Sequence, residues 1–482
     1  MKPLYAVWLR NDFRFHDQPV IHKALESATS SDGEVIFFFH IHPRFLEEKV
    51  DTHHDYFFKS LQQFREECAH IKIHIHLIYG NNSDAFTKLT NNLPDLAAVF
   101  HLKDFTPFGR KRDADVAKFL KQKDVETYPV NESHLVQPDQ LTKEDGTPYK
   151  VFTPYYRQWI KHQKQPLVKI DRNKLMMHYK KIDPIDIDTE NYFENDVLFQ
   201  RDFQWLGLGE DTALKRLELF LDERITYYDK SRDQPAIAGT SQLSPYIKTG
   251  VLSVRKIYYS VFDRLETSGK GAESYLKELA WRDFYAMIYY FYPNIKNQEY
   301  QEKYRSIEWS TDSQLFNKWK TGTTGFPIVD AGMRQLNEIG WMHNRLRMVT
   351  ASFLTKDYLI DWRMGEKYFS KKLIDYDEAS NIGGWQWAAS VGTDAVPYFR
   401  VFNPTRQAER FDTHGQFIKK YLPELADIPT TYIHKLEKIP SDVQQKINFH
   451  FGKDYPVPSV DHALQRKKAI ELFKGEEDHH DD

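Results

Sequence analysis

The feature that most constrains this chain is the regular alternation, up to about residue 130, of short apolar β-type runs with helical stretches. The runs are Tyr5 to Leu9, Val35 to His40, Ile73 to Tyr79, Ala97 to Leu102 and a weaker Val125 to Val130. Strand, helix, strand in series predicts parallel βαβ units and hence a doubly wound α/β sheet. Neither G-x-G-x-x-G nor G-x-x-x-x-G-K-[ST] follows any run, so the sheet binds no nucleotide by a standard phosphate loop.

Beyond this region the pattern weakens. Pro138, Pro148, Pro154, Pro166 and Pro184 interrupt residues 131–205, and KKIDPIDIDTENYFEND is polar and acidic, which predicts a long connector. After Leu206 the periodicity is helical almost throughout, with Ser253 before VRKIYYSVF and Ser274 before YLKELAWRDFYAMIYYF as expected N-caps. A chain of 482 residues exceeds what one core organises. The expected plan is an α/β domain over 1–130, a linker over 131–205, an all-helical domain over 206–474 and an acidic, histidine-containing tail over 475–482. His479 and His480 in that tail are read as solvated and frayed rather than as ligands.

Composition narrows the classes. No apolar run approaches the roughly 20 residues that span a bilayer, and MKPLYAVWLRND lacks the apolar core of a secretory signal, so a cytoplasmic, membrane-free monomer is expected. The single cysteine, Cys68, forms no internal disulfide and reads as a half-buried helix residue; no metal site is expected. With a formal net charge of -3, any nucleic-acid partner must be held by a local basic face. Aromatics reach 15%, usually the mark of a large core. Their placement is uneven, because eight of the ten tryptophans lie beyond residue 200.

Four segments of the helical half bring chemistry together. In AGTSQLSPYIKTGVLS, Thr240, Ser241 and Ser244 precede Pro245 in a helix-start pattern whose hydroxyls and free N–H groups favour an anion, although such starts are often plain caps. In ESYLKELAWRDFYAM, Glu278, Trp281, Arg282 and Tyr285 share one helix face. That face suits either an intrahelical ion pair beside packed rings or a flipped base stacked and bonded at its edge. In GWMHNRLRMVTASF, Asn344 and Met348 share a face with Arg347 beside them and Arg345 turned elsewhere; methionine at such spacing is usually core filling. LIDYDEASNIGGWQWAASVGTDAVPYFRVFNP is the most unusual: Asp375 and Asp377 alternate before Asn381, Gly383 and Gly384 permit close backbone approach, and Trp385 and Trp387 follow. A plain turn needs no such polar and aromatic specificity.

At these segments the sequence resembles the photolyase and cryptochrome family, specifically the class I cyclobutane pyrimidine dimer photolyases of bacteria. The resemblance runs through WLRNDFRFHDQP, GTSQLSPYIKTGVLS, ELAWRDFY, GFPIVDAGMRQLNEIGWMHNRLRMVTASFLTKDYLIDWRMGEKYF and NIGGWQWAASVGTDAVPYFRVFNP, nearly the whole chain. It implies that the helical domain binds FAD, active as FADH⁻, and that light drives an electron from it into a pyrimidine dimer of damaged DNA and back. Tyr228 and Thr240, Ser241, Gln242, Leu243 and Ser244 would hold its phosphates and ribityl chain. Asp375, Tyr376 and Asp377 would line the flavin, Arg347 would pair with Asp375, and Asn381 would sit by flavin N5. Glu278, Trp281, Asn344, Met348 and Trp387 would meet the lesion, with Glu278, Asn344, Met348 and Asn381 closest to the chemistry. Arg232, Arg282, Arg345 and Arg400 would meet DNA phosphates. Trp385, Trp362 and Trp309 would carry electrons from flavin to surface.

The main rival is a cryptochrome, a light sensor on the same scaffold; such members commonly carry a long C-terminal extension, and here the sequence stops soon after the shared domain. A (6-4) photoproduct enzyme uses paired histidines, whereas only His343 stands in WMHNRLRM. An FAD oxidoreductase without a DNA role fits the Glu278 and Trp281 face poorly. A second, antenna chromophore is expected. Folate-binding members carry a Glu in the loop corresponding to DFTPFGRKRD, where this chain has Gly109 after Phe108, and a cysteine near PNIKNQ that is absent here. The loop resembles the deazaflavin-binding form, though a flavin or an empty site stays open.

Overall fold

The structure, a computed structural model, describes residues 2–46, 51–193 and 203–480. It forms two compact units. The first comprises Met1–Tyr149, Thr153–Thr226 and Ser241–Pro293, and the second Lys150–Phe152, Tyr227–Thr240 and Asn294–Asp482.

In the first unit the five apolar runs are strands: β1 (Leu4–Leu9), β2 (Glu34–Ile41), β3 (Ile75–Tyr79), β4 (Leu96–Leu102) and β5 (Glu126–Val130). They pair in parallel in the order β3-β2-β1-β4-β5, with Val7 of β1 opposite Phe37 and Phe100. Helices Pro19–Ser31, Thr52–His70, Asn82–Asn92 and Pro107–Lys121 make the crossovers. Trp8 centres one face of the core, stacked on Phe38 at 6.1 Å and edge-on to Phe86 at 4.8 Å. The strand order reverses beside β1, so the carboxyl ends of β1 and β4 flank a topological switch point, where open α/β sheets bind ligands. Cys68 is only 1% exposed rather than half-buried, and burial pushes its thiol pKa up.

The stretch expected to be a connector contains three short helices, Phe152–Trp159, Arg172–His178 and Ile187–Tyr192, and Tyr179 bridges to Val35 of β2. Residues 194–202 of that stretch lie outside the described residues. The unit continues with helices Glu210–Glu223, Ser244–Thr249, Val254–Phe262 and Leu265–Phe291. Their starts are bonded to the loop after β1: Asp17 takes two hydrogen bonds from Arg255 at 2.9 and 3.0 Å, and Glu210 accepts from the backbone of Phe15 at 2.6 Å and of His16 at 3.0 Å.

Ser253 caps its helix as expected, accepting from Arg255 N at 3.2 Å and Lys256 N at 3.4 Å. Ser274 caps nothing, because the helix already begins at Leu265 and runs through it with a kink at Gly269. Packing overrides the local signal there: a Cβ on Gly271 would stand 1.9 Å from the Ile225 carbonyl oxygen, so the helix lies directly on that backbone. Ser244 is likewise the first helical residue rather than a cap, with Leu243 in the cap position.

The second unit is helical. Its main helices are Ser313–Thr321, Pro327–Ile339, Asn344–Ser352, Trp362–Lys372, Glu378–Ala389, Pro404–Phe411 and His462–His480. The last of these enters the expected tail, whose side chains from residue 476 lie outside the described residues. Trp319 anchors the aromatic core, stacked on Phe316 at 5.8 Å and Phe369 at 5.9 Å and edge-on to Trp385 at 5.9 Å. No helix among the described residues is long and apolar enough to cross a membrane.

Candidate functional site

Three helices of the second unit begin on side-chain caps and carry most of the expected residues. His343 Nδ1 accepts from Arg345 N at 3.2 Å, Asp361 from Arg363 N at 2.9 Å, and Asp377 from Ser380 N at 2.9 Å. On the helix capped by His343, Asn344 and Met348 lie one turn apart with Nδ2 and Sδ 4.0 Å from each other. Arg347 donates to the Met342 carbonyl at 2.8 Å and to Asp375 Oδ2 at 2.7 Å, which is the pair the resemblance implied. Burial pulls the His343 imidazole to about pKa 4, against the opposing charge of Asp233. The ring is therefore neutral and uses Nδ1 as its cap acceptor.

One turn beyond Asp377, Asn381 donates to Glu366 Oε1 at 2.9 Å and to the Glu366 carbonyl at 3.2 Å. Burial raises the Glu366 carboxyl above its ordinary range, partly opposed by that bond. With its N–H groups directed at Glu366, Asn381 has its carbonyl oxygen to offer a ligand, as an acceptor. Gly383 and Gly384 lie inside the helix Glu378–Ala389. A Cβ on Gly384, on the same face as Asn381, would meet nothing within 4 Å. This face offers an amide acceptor beside open space, and the same unit holds the Arg347–Asp375 pair with Asp375 buried and Arg347 half-buried, donors and acceptors that fit a planar polar ring system such as a flavin.

Two of the three expected tryptophans are buried and the third is partly exposed. Trp385 is 2% exposed, Trp362 is 0% exposed, and Trp309 is half-buried. Trp362 and Trp309 both donate their indole N–H to Glu299 Oε1, at 3.1 and 3.2 Å, and Arg363 holds Glu299 Oε2 at 2.7 Å. Trp385 packs on Gly365, whose missing Cβ would lie 2.1 Å from the ring. Nothing in the local sequence marks Glu299 or Glu366, isolated acids in polar surroundings. Gly365 did carry a signal, since a glycine inside a helix costs about 1 kcal/mol and asks for a packing reason.

In the same unit Tyr228 is buried, and the Arg232 guanidinium lies 5.9 Å from its ring. Arg345 pairs with Asp233 at 2.8 Å and covers the Phe411 ring at 4.3 Å. Asn344 and Arg400 are exposed, and Arg232, Arg345, Met348 and Trp387 are half-buried. Thr240 closes this segment, half-buried.

The first unit holds the other expected residues. Along the mostly buried C-terminal half of helix Leu265–Phe291, Glu278, Trp281, Arg282 and Tyr285 are half-buried while Tyr275, Leu276, Leu279, Ala280, Asp283 and Phe284 are buried. The four therefore form the open stripe that their spacing predicted. The Trp281 and Tyr285 rings lie 5.4 Å apart, and Arg282 donates to the Ser133 carbonyl at 2.7 Å. Ser241 is buried and bonded to Tyr275 at 2.9 Å, and Ser244 is exposed. Gln242 takes a left-handed φ of 53°, with Arg216 donating to its side chain at 2.8 Å; strain of this kind in a non-glycine residue is typical of functional loops.

At the switch point, Arg10 donates to the Leu102 carbonyl at 2.6 Å, pairs with Asp113 at 2.8 Å and covers Trp8 at 3.8 Å. Arg44 covers the Phe108 ring at 4.6 Å. A Cβ on Gly109 would lie 1.9 Å from the Asp104 carboxyl carbon, so a larger residue there would have to displace the Asp104 side chain.

Residues 5–171 match the DNA photolyase family and residues 275–475 match the FAD binding domain of DNA photolyase. The chain belongs to the DNA photolyase family. It is 47% identical to the deoxyribodipyrimidine photo-lyase of Alkalihalophilus pseudofirmus across 98% of both chains, and 34% identical to that of Escherichia coli across 98% of both. A class III photolyase from Agrobacterium tumefaciens superposes with a TM-score of 0.87 at 29% identity, covering 99% of this chain and 98% of its own. An archaeal photolyase from Sulfolobus tokodaii solved with two FAD molecules gives a TM-score of 0.82 at 28% identity, covering 98% of this chain and 100% of its own.

Proposed function

We propose that this chain is a light-driven DNA repair enzyme that splits cyclobutane pyrimidine dimers, of class I on the segment WMHNRLRM. The observation that carries this reading is the 47% identity, over nearly the full length of both proteins, to a deoxyribodipyrimidine photo-lyase. Bound FAD in its reduced form supplies the light-excited electron that opens the two cyclobutane bonds and then recovers it; the protein supplies position and electrostatics.

The residues divide by what they offer. Asn381, its amide N–H groups held by Glu366, presents a carbonyl oxygen able to accept from a ring N–H of the reduced cofactor. Arg347 and Asp375 supply a fixed ion pair beside it, Tyr376 and Asp377 line the ring system, and Tyr228 and Thr240 to Ser244 bind the phosphates and ribityl chain. Glu278, on the open stripe, hydrogen-bonds the carbonyl edge of the dimer and stabilises its added negative charge by sharing a proton. Trp281 and Trp387 stack on the flipped bases, and Asn344 and Met348 complete the contact. Arg232, Arg282, Arg345 and Arg400 meet phosphates. Arg282 holds the Ser133 carbonyl and Asp283, and Arg345 holds Asp233, which leaves further guanidinium N–H groups for DNA. Trp385, Trp362 and Trp309 return an oxidised cofactor to its active state in light.

For the second chromophore we favour a deazaflavin over folate, at the switch point lined by Trp8, Arg10, Arg44 and Phe108, because the loop DFTPFGRKRD resembles the deazaflavin-binding form. The reduced protein, illuminated with dimer-containing single-stranded and duplex DNA, should remove dimers from both. No loss of dimers would make the chain a cryptochrome-type sensor, and loss from single strands alone a single-strand-specific relative.

A further inference from the structure

We propose that His74, His76 and Glu190 bind one divalent transition-metal ion with the coordination chemistry of Zn²⁺, at the edge strand of the sheet in the first unit. His74 immediately precedes β3 and His76 lies in it, so their side chains share a face by the period of two, and their rings stand 4.6 Å apart. Glu190 comes from the helix Ile187–Tyr192 and brings Oε1 to 2.8 Å from His74 Nε2. One donor atom from each residue lies within 4.8 Å of the others.

His76 is the observation that points to a ligand. Its side chain is 0% exposed and neither ring nitrogen has a hydrogen-bond partner. A buried polar group left in this way costs about 1–3 kcal/mol and calls for a bound water or ion. A simple ion pair of Glu190 with His74 and Arg65 would account for Glu190 but not for His76. With neither nitrogen engaged, the imidazole has a lone pair to offer a ligand.

Arg65 holds Glu190 Oε2 at 2.6 Å and fixes the carboxylate from the outer shell, as partners of ligating groups do. Two imidazoles and one carboxylate, with His74 38% exposed and hence a solvent-facing position for a water, select a Zn²⁺-like ion over Ca²⁺ or Mg²⁺, which prefer all-oxygen sites. Bound metal would tie the helix Ile187–Tyr192 to β3. This site is independent of the light chemistry.

The test uses the full-length, FAD-loaded protein, stripped with a chelator and titrated with ZnCl₂ against a fluorescent chelator, with metal per chain counted by elemental analysis. One Zn²⁺ per chain should bind with sub-micromolar affinity and raise the melting temperature. His74→Ala and His76→Ala should each weaken binding by about a hundredfold or more, while His479→Ala/His480→Ala in the tail should leave it unchanged. Should His76→Ala fail to fold, the half-exposed His74→Ala decides. Absence of stoichiometric binding, binding retained in His74→Ala, or binding lost in the tail variant would each overturn the assignment.

Discussion

Replacing Gly365 with alanine tests whether Trp385 sits where the core puts it. A Cβ there would stand 2.1 Å from Trp385 Cη2, 2.5 Å from Cζ3 and 2.7 Å from Leu354 Cδ2. The indole must therefore retreat by more than an ångström to reach van der Waals contact. It has little room, being 2% exposed with Phe369 at 5.0 Å and Trp319 at 5.9 Å against it. Overpacking of this kind costs about 1–3 kcal/mol, while glycine-to-alanine inside a helix returns about 1 kcal/mol. The net expectation is a loss of up to about 2 kcal/mol by urea denaturation followed by circular dichroism. On the proposed path through Trp385, Trp362 and Trp309, photoreduction of the oxidised cofactor should slow in the same variant, because one of its rings is displaced. The sign decides. In an unobstructed helix the substitution would stabilise by about 1 kcal/mol, and that gain, with unchanged photoreduction, would refute the packing argument.

Glu278→Ala should leave FAD content and DNA affinity largely intact but lower the dimers repaired per absorbed photon; an unchanged quantum yield would remove Glu278 from the chemistry. Trp309→Phe should block photoreduction of the oxidised protein while pre-reduced protein still repairs, and surviving photoreduction would place the electron path elsewhere. His343, with a folded pKa of about 4 against an ordinary 6.5, contributes stability that is fully present above pH 6.5 and lost as pH falls toward 4. That gap is worth about 3 kcal/mol at most. His343→Asn, which keeps a capping acceptor and removes the titration, should therefore lose about 2 kcal/mol less than wild type between pH 7 and pH 4.5; parallel losses would contradict the buried neutral ring. Binding to dimer-containing DNA should weaken steeply as salt rises despite the net charge of -3, and a flat response would argue against the arginine contacts.

By itself the sequence determined what depends on near neighbours. The five strands follow from short apolar runs, their parallel order from the helices between them, and the open stripe of Glu278, Trp281, Arg282 and Tyr285 from helical spacing alone. The resemblance added the pairing of Arg347 with Asp375, which the structure contains at 2.7 Å. Tertiary structure decided whatever depends on residues distant in the chain. Ser274 looks like a cap but lies within a helix, because Gly271 packs on the Ile225 carbonyl. Glu366 orients Asn381, Glu299 joins Trp309 to Trp362, and Gly365 makes the slot for Trp385. His76 meets Glu190 across a long sequence separation, so no local spacing could announce their cluster. Periodicity and capping act over a few residues and can be read along the chain. The partner of a buried polar or aromatic group is set by how whole elements pack, and only the folded chain reveals it.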